Sequence, residues 1–166
     1  MLNFNIHRRA RMGAVILGVG LGGFADGILL HQILQWHHML STVMPPEQMD
    51  SMVVNMRWDG FFHAFVWILT IAGSFMIWSA GRYRTVLPHS FWFGGWLIFG
   101  WGLFNFFEGI INHHIFGLHH VRYAGDVYGA DPSLAWGLGF ILAGGLGFMI
   151  IGWLLSRYGL RLTPVT

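Results

Sequence analysis

Seven histidines and three carboxylates in this sequence have the residue types and the spacing of metal ligands. The segments 26–38 and 108–120 each begin with a carboxylate followed by glycine, place a histidine five residues after the carboxylate, and end in a histidine pair. Imidazole and carboxylate groups together bind zinc, copper or iron. The candidate ligands are Asp26, His31, His37, His38, Asp59, His63, Glu108, His113, His119 and His120.

The two segments form an internal repeat. The pattern DG-x3-H-x5-HH recurs as EG-x3-H-x5-HH at a constant offset of 82 residues. Chance agreement of so many rare residues is very improbable, so the two segments indicate a repeated structural unit. An even number of predicted membrane spans separates the copies, which predicts two direct, parallel repeats over about 12–80 and 91–156.

The composition is that of a membrane protein. The chain is 55% hydrophobic and only 10% charged, whereas soluble domains carry roughly 25% charged residues. Four stretches reach the roughly 20 apolar residues that a spanning helix needs: 12–36, 58–80, 91–118 and 133–156. We therefore expect an all-α, four-transmembrane-helix bundle that forms a single membrane domain over residues 1–166.

The arginines predict the orientation. Seven of the nine lie at the N-terminus, after the second span or after the fourth, and only Arg57 and Arg122 lie in the other two loops. By the positive-inside rule we expect both termini to be cytoplasmic. The positive charge reflects this topology, so membrane lipids are the expected partners and nucleic acid is not. The chain has no cysteine, which excludes disulfides and thiolate ligands.

Helical geometry predicts where these side chains lie. At about 100° per residue, Asp26, His31, His37 and His38 share one arc of the first helix, and Asp59 and His63 share a face of the second. The carboxylates then lie near the midplane, with His37 and His38 about 10 Å beyond His31 at the outer interface. A buried carboxylate costs on the order of 3 kcal/mol and is tolerated mainly where it is paired or functional. A metal site is favoured over a structural polar core or a proton or quinone pathway.

Methionines in the first outer loop bear on the choice of metal. Met49, Met52 and Met56 could line one face of a short helix after Pro45 and Pro46, and thioether sulfur selects copper(I). The alternative is that this methionine face packs on the bundle, since methionine fills irregular gaps well. Copper is the favoured ion, iron and zinc are alternatives, and a haem held axially by paired histidines is a further one.

The segment 27–38, GILLHQILQWHH, resembles a bacterial family of predicted four-span integral membrane proteins to which no activity is assigned. The resemblance covers most of the chain and implies a bacterial inner-membrane protein. A looser similarity is to membrane di-iron desaturases and hydroxylases, which also gather about eight histidines. Their histidine boxes have shorter spacings and face the cytoplasm, and this sequence departs from them in both respects.

Three classes of function remain open. The first is a copper-binding protein that stores, delivers or oxidises the metal at the outer face. The second is a metal-dependent oxidoreductase in which two ions, one per repeat, activate oxygen. The third is a metal transporter, or a structural subunit of a homo-oligomer or of a larger membrane complex.

Overall fold

The computed structural model describes residues 2–82, 88–122 and 132–163, and every regular element in these residues is helical. The first helix is α1 (Leu2–Ala25), continued by a π-helical segment, Asp26–Ile33, and the second is α2 (Met49–Gly81). The third is α3 (Ser90–Glu108), continued by the π-helical segment Gly109–Ile115. The fourth consists of α4 (Pro132–Gly139), the π-helical segment Phe140–Gly147 and α5 (Phe148–Arg161).

Three helices of the described residues are long and apolar enough to cross a membrane: Asn5–Ile33, Met49–Gly81 and Ser133–Arg161. The third helix is not among them, although the sequence predicts a span there. Its glycines and tryptophans, together with Asn105 and Glu108, lower its mean hydropathy.

Close contacts at glycines hold the helices together. A Cβ atom at Gly18 would collide with the backbone carbonyl of Leu97, and a Cβ atom at Gly100 would collide with that of Val15. The first and third helices therefore cross in direct backbone contact, which small residues allow in membrane proteins. The second helix packs on the first, and the fourth packs on the third.

The helix ends differ from the predicted spans. The first helix ends at Ile33 rather than at residue 36, and the third ends at Ile115 rather than at residue 118. The second begins at Met49, nine residues before the predicted start. The prediction of a separate short methionine helix is therefore wrong, because residues 49–56 are the first two turns of one continuous α2.

Candidate metal centre

Four histidine rings and two carboxylates meet at the end of the bundle where the first helix stops and the second begins. The His37 ring lies 4.4 Å from His31, 4.6 Å from His119 and 6.0 Å from His113, measured between ring centroids. All six side chains are at least nine-tenths buried. We call this set the inner cluster: Asp26, His31, His37, Glu108, His113 and His119.

The π-helical segments place the first histidine of each repeat. A π-helix bonds residue i to residue i+5, and such turns are frequent at functional sites. In this geometry Asp26 and His31, five residues apart, become neighbours, with His31 Nε2 3.3 Å from Asp26 Oδ2. Glu108 and His113 have the same spacing, and His113 Nε2 lies 3.0 Å from Glu108 Oε2.

A sharp reversal of the chain brings the histidine pairs back onto the cluster. Gln35 adopts a positive φ of 48° and Gly117 one of 57°, just after each helix end. The loops fold back, and the predicted 10 Å separation in depth between His31 and His37 is wrong. That prediction extended the α-helix to His38, whereas the helix stops at Ile33.

Backbone carbonyls orient two of the rings. His37 Nδ1 donates to the carbonyl of Val121 at 2.7 Å, and His119 Nδ1 donates to the carbonyl of Met39 at 3.0 Å. A ring whose Nδ1 carries the proton presents the Nε2 lone pair when it is neutral. Both rings therefore turn Nε2 towards the inner cluster.

Asp59 orients a third ring and anchors the first loop. Its carboxylate accepts from His31 Nδ1 at 2.9 Å, from His38 Nδ1 at 2.8 Å and from the Met39 amide at 2.9 Å. A carboxylate that fixes the outer nitrogen of a metal-binding imidazole is a common feature of metal sites. Asp59 holds Nδ1 of His31 in this way, so we expect it to orient the His31 ligand rather than to bind the metal itself.

Several polar atoms inside the cluster lack hydrogen-bond partners in the described structure. Both oxygens of Asp26, Glu108 Oε2, and Nε2 of His31, His37 and His113 are buried without an aligned partner. Buried polar groups in native proteins are nearly always paired, so each exception needs an explanation. All of these atoms are of types that bind metal ions, and a cation bound among them would account for the set.

Burial favours the neutral form of His37, which lies outside the helices. Desolvation lowers the pKa of His37 well below its ordinary value, and the neighbouring His119 and His31 rings lower it further. A metal ligand must be deprotonated. His37 thus offers a lone pair at neutral pH.

The remaining predicted ligands lie outside the inner cluster. His63 is half-buried, donates from Nδ1 to the carbonyl of Asp59 at 2.7 Å and packs against Gly27. His38 and His120 line an outer cavity of about 450 Å³ together with His37 and Met52. Met49 and Met56 are 78% and 61% exposed, so no thioether contacts the inner cluster through them.

The sequence analysis did not identify three supporting groups: Asn55, Phe62 and the backbone carbonyl of Val121. Asn55 is fully buried and holds the first loop, accepting from the Leu40 amide and donating to the carbonyl of Met44. Phe62 stacks on the His31 ring at 5.7 Å. The spacing of Asn55, Asp59 and His63 on one helix face could have identified Asn55, but no sequence signal identifies backbone acceptors such as Val121.

The fold and the cluster define an all-helical membrane protein with a buried histidine–carboxylate centre. The sequence model of the family described as "Predicted membrane protein (DUF2243)" matches residues 13–159. The chain therefore belongs to this family. No curated protein and no solved structure matches it.

Proposed function

We propose that this protein binds transition-metal ions in the inner cluster, within a bundle of four membrane-spanning helices. The observation that carries the proposal concerns His119. Its Nδ1 donates to the carbonyl of Met39, yet its Nε2 lies 3.0 Å from Glu108 Oε1. A neutral ring would direct a lone pair at a carboxylate oxygen, so a proton or a cation must lie between them. His31 poses the same problem between Asp59 and Asp26.

A cation accounts for more of the cluster than protons do. Protons on His31 and His119 would satisfy those two rings, but Nε2 of His37 would still lack a partner. A metal ion gathers several lone pairs at once. In two groups of three residues, one potential ligand atom from each residue lies within 4.8 Å of the other two. The first group is His31, His37 and His119, and the second is Glu108, His113 and His119.

The repeat supports two half-sites built on one plan, although the ligand atoms of His119 come within reach of both. The first half-site is Asp26, His31 and His37, and the second half-site is Glu108, His113 and His119. Each residue of the second follows its counterpart by 82 positions. The hydrogen bonds are reciprocal as well, since Val121 and Met39, the acceptors for His37 and His119, are themselves 82 residues apart. The contacts of Gly18 with Leu97 and of Gly100 with Val15 show the same exchange.

These relations support two direct, parallel repeats about a pseudo-two-fold axis between the first and third helices. The third helix packs on both the first and the fourth. We propose that it crosses the membrane with them, even though its glycines and tryptophans lower its mean hydropathy. The arginine distribution supports an outer location for the histidine end of the bundle and cytoplasmic termini.

The donor set constrains the metal. Its nitrogen and oxygen ligands suit divalent copper, iron or zinc. Copper is our first choice, because Met52, His38 and His120 line the outer cavity that adjoins His37, and this mixture of soft and borderline ligands is suited to copper. Each half-site also offers two histidines and one carboxylate, a donor set that non-haem iron oxygenases use, and this supports a metal-dependent oxidoreductase as a second candidate.

Metal loading of the purified protein tests this proposal. Protein stripped by a chelator is titrated with Cu²⁺, Fe²⁺ or Zn²⁺, and the bound ion is studied by X-ray absorption. We expect up to two ions per chain, each with a nitrogen and oxygen shell. A sulfur shell would contradict the inner cluster and assign the ion to the methionines.

A further inference from the structure

A second feature of the bundle lies beside the first half-site: an apolar cavity of about 370 Å³ between the first, third and fourth helices. Its walls include three tryptophans, Trp36, Trp101 and Trp136, and the phenyl ring of Phe140. The polar side chains that line it are Asp26 and Asn105. Binding sites for small molecules commonly combine an apolar, aromatic wall with a few convergent polar groups.

The polar groups of this cavity accept hydrogen bonds. Asp26 is 5% exposed, and its Oδ1 has no partner in the described structure. Asn105 is 6% exposed and uses its amide nitrogen to donate to the carbonyl of Gly144 at 2.9 Å. Besides this bond, Asn105 offers its acceptor oxygen and its second N–H. An ionised Asp26 only accepts, and Asn105 can accept as well, so a ligand head that donates hydrogen bonds suits both groups.

A related cavity beside the second half-site has a different character. It is lined by Glu108 and by phenylalanines such as Phe62 and Phe104, without a tryptophan. The Oε1 atom of Glu108 is in contact with His119 at 3.0 Å, and its Oε2 atom lacks an aligned partner, as Oδ1 of Asp26 does. Of these two cavities, the one beside Asp26 has the tryptophan wall against which a flat ring can stack.

The entrance of the tryptophan cavity faces the lipid side. Leu29 and Trp136 line it and are 49% and 41% exposed. Towards the loops, the guanidinium of Arg122 lies over Trp36 at 5.1 Å and over Trp136 at 5.5 Å. These two cation–π contacts place the Arg122 side chain over the cavity on the side of the loops. A ligand would therefore enter from the membrane.

We propose that the cavity binds a membrane-soluble hydroquinone. Its flat ring would stack between the tryptophans, which favour offset or edge contacts with aromatic rings. One hydroxyl would donate to Asp26 and the other to Asn105, while an alkyl tail extends along Leu29 into the lipid. The hydroquinone proposal deepens the proposed function. It rests on that function for one point only, that the bound ring lies next to a metal site, because Asp26 belongs both to the cavity and to the first half-site.

Binding of a decyl-substituted benzohydroquinone to the full chain in lipid nanodiscs, measured anaerobically by calorimetry, tests the inference. Gly139 lines the cavity, and a Cβ atom there would meet open space. Gly139→Leu should therefore fill the cavity and weaken binding at least tenfold, with metal content unchanged. Gly60→Leu is the matched control, because Gly60 also faces open space but lies on the second helix, outside the cavity; it should bind like the native chain.

A second probe keeps the test independent of how well the variant folds. The same molecule with both hydroxyls methylated has the shape but no donors, and it should bind the native chain at least tenfold more weakly. Equal binding of the two probes would reduce the cavity to a lipid crevice and overturn the inference, as would native affinity in Gly139→Leu or no saturable binding at all. If the chain takes up no metal but still binds the probe saturably and through its hydroxyl groups, the hydroquinone site would be supported and the proposed metal-binding function would be contradicted.

Discussion

The rings of His37 and His119, 82 residues apart in the sequence, stack at 4.6 Å with an angle of 9° between their planes. Each donates from Nδ1 to a backbone carbonyl in the other ring's loop, since Val121 follows His119 by two residues and Met39 follows His37 by two. This exchange holds the two loops together at the end of the bundle. It also turns both Nε2 atoms inward, where a metal ion would be bound.

The buried carboxylates give the first prediction. Asp26→Asn or Glu108→Gln keeps the shape of the side chain and removes its charge, so metal occupancy should fall while the bundle stays assembled. The double amide variant should lose most of the metal, measured by elemental analysis against circular dichroism of the same sample. Asp50→Asn is the control, because Asp50 is exposed in the first turn of α2. Full occupancy in the double variant would move the metal outward, to His38 and His120.

Asp59 should act through the ligand that it orients. It accepts from the Nδ1 atoms of His31 and His38 and from an amide, and asparagine keeps only one acceptor oxygen. Loss of such a partner typically lowers metal affinity by about 10 to 100-fold. We expect that range for Asp59→Asn in a competition titration with a chelator of known affinity. An unchanged dissociation constant would show that His31 does not ligate the ion.

The loop methionines should be dispensable for the inner cluster. Met49 and Met56 are largely exposed, so the double variant Met49→Leu, Met56→Leu should retain the metal of the native chain. His37→Gln should lose it, because its Nε2 has no other partner. The opposite pattern, copper lost without the methionines and kept without His37, would favour a copper(I) protein that binds the metal in its outer loop.

Acid should release the metal. Imidazole ligands bind only when neutral, so occupancy falls as the pH drops and protons compete for Nε2. Burial keeps the pKa of His37 low, and this ring should therefore stay available to the metal after an exposed histidine has become charged. Elemental analysis after dialysis across a pH series should show loss in one direction only, from neutral to acidic pH. Retention of all metal in strong acid would indicate a site without histidine.

The topology can be tested without background labelling, because the chain has no cysteine. Single cysteines at Gln48 and Arg82 lie at opposite ends of the second helix. In sealed cells an impermeant maleimide should label position 48 and leave position 82 unlabelled. The reverse pattern would place the histidine end of the bundle in the cytoplasm.

The sequence alone predicts an all-helical membrane chain, and this is confirmed. It also identifies, through the 82-residue repeat, every side chain of the inner cluster. Three features could not be predicted. The first is the position of His37. The predicted face and depth of this residue assume an α-helix through His38, whereas the helix has π-helical turns and ends at Ile33.

The other two features depend on tertiary contacts. Asp59 was a candidate ligand, and its role towards His31 and His38 follows from the way the first loop folds over α2. The carbonyls of Val121 and Met39 carry no side-chain signal at all. Periodicity gives the residues that share a face, and only the folded loops decide which nitrogen of each histidine points inward.

The most direct test of a metal-binding inner cluster is elemental analysis of protein purified from its native membrane, beside the triple variant His31→Gln, His37→Gln, His119→Gln. An optical and a paramagnetic resonance spectrum of the same samples identify the ion. The account predicts one or two equivalents of a transition metal, copper first, in the native chain, and its loss in the triple variant with helical content unchanged. A native chain that takes up no transition metal, or a triple variant that keeps all of it, would contradict the account.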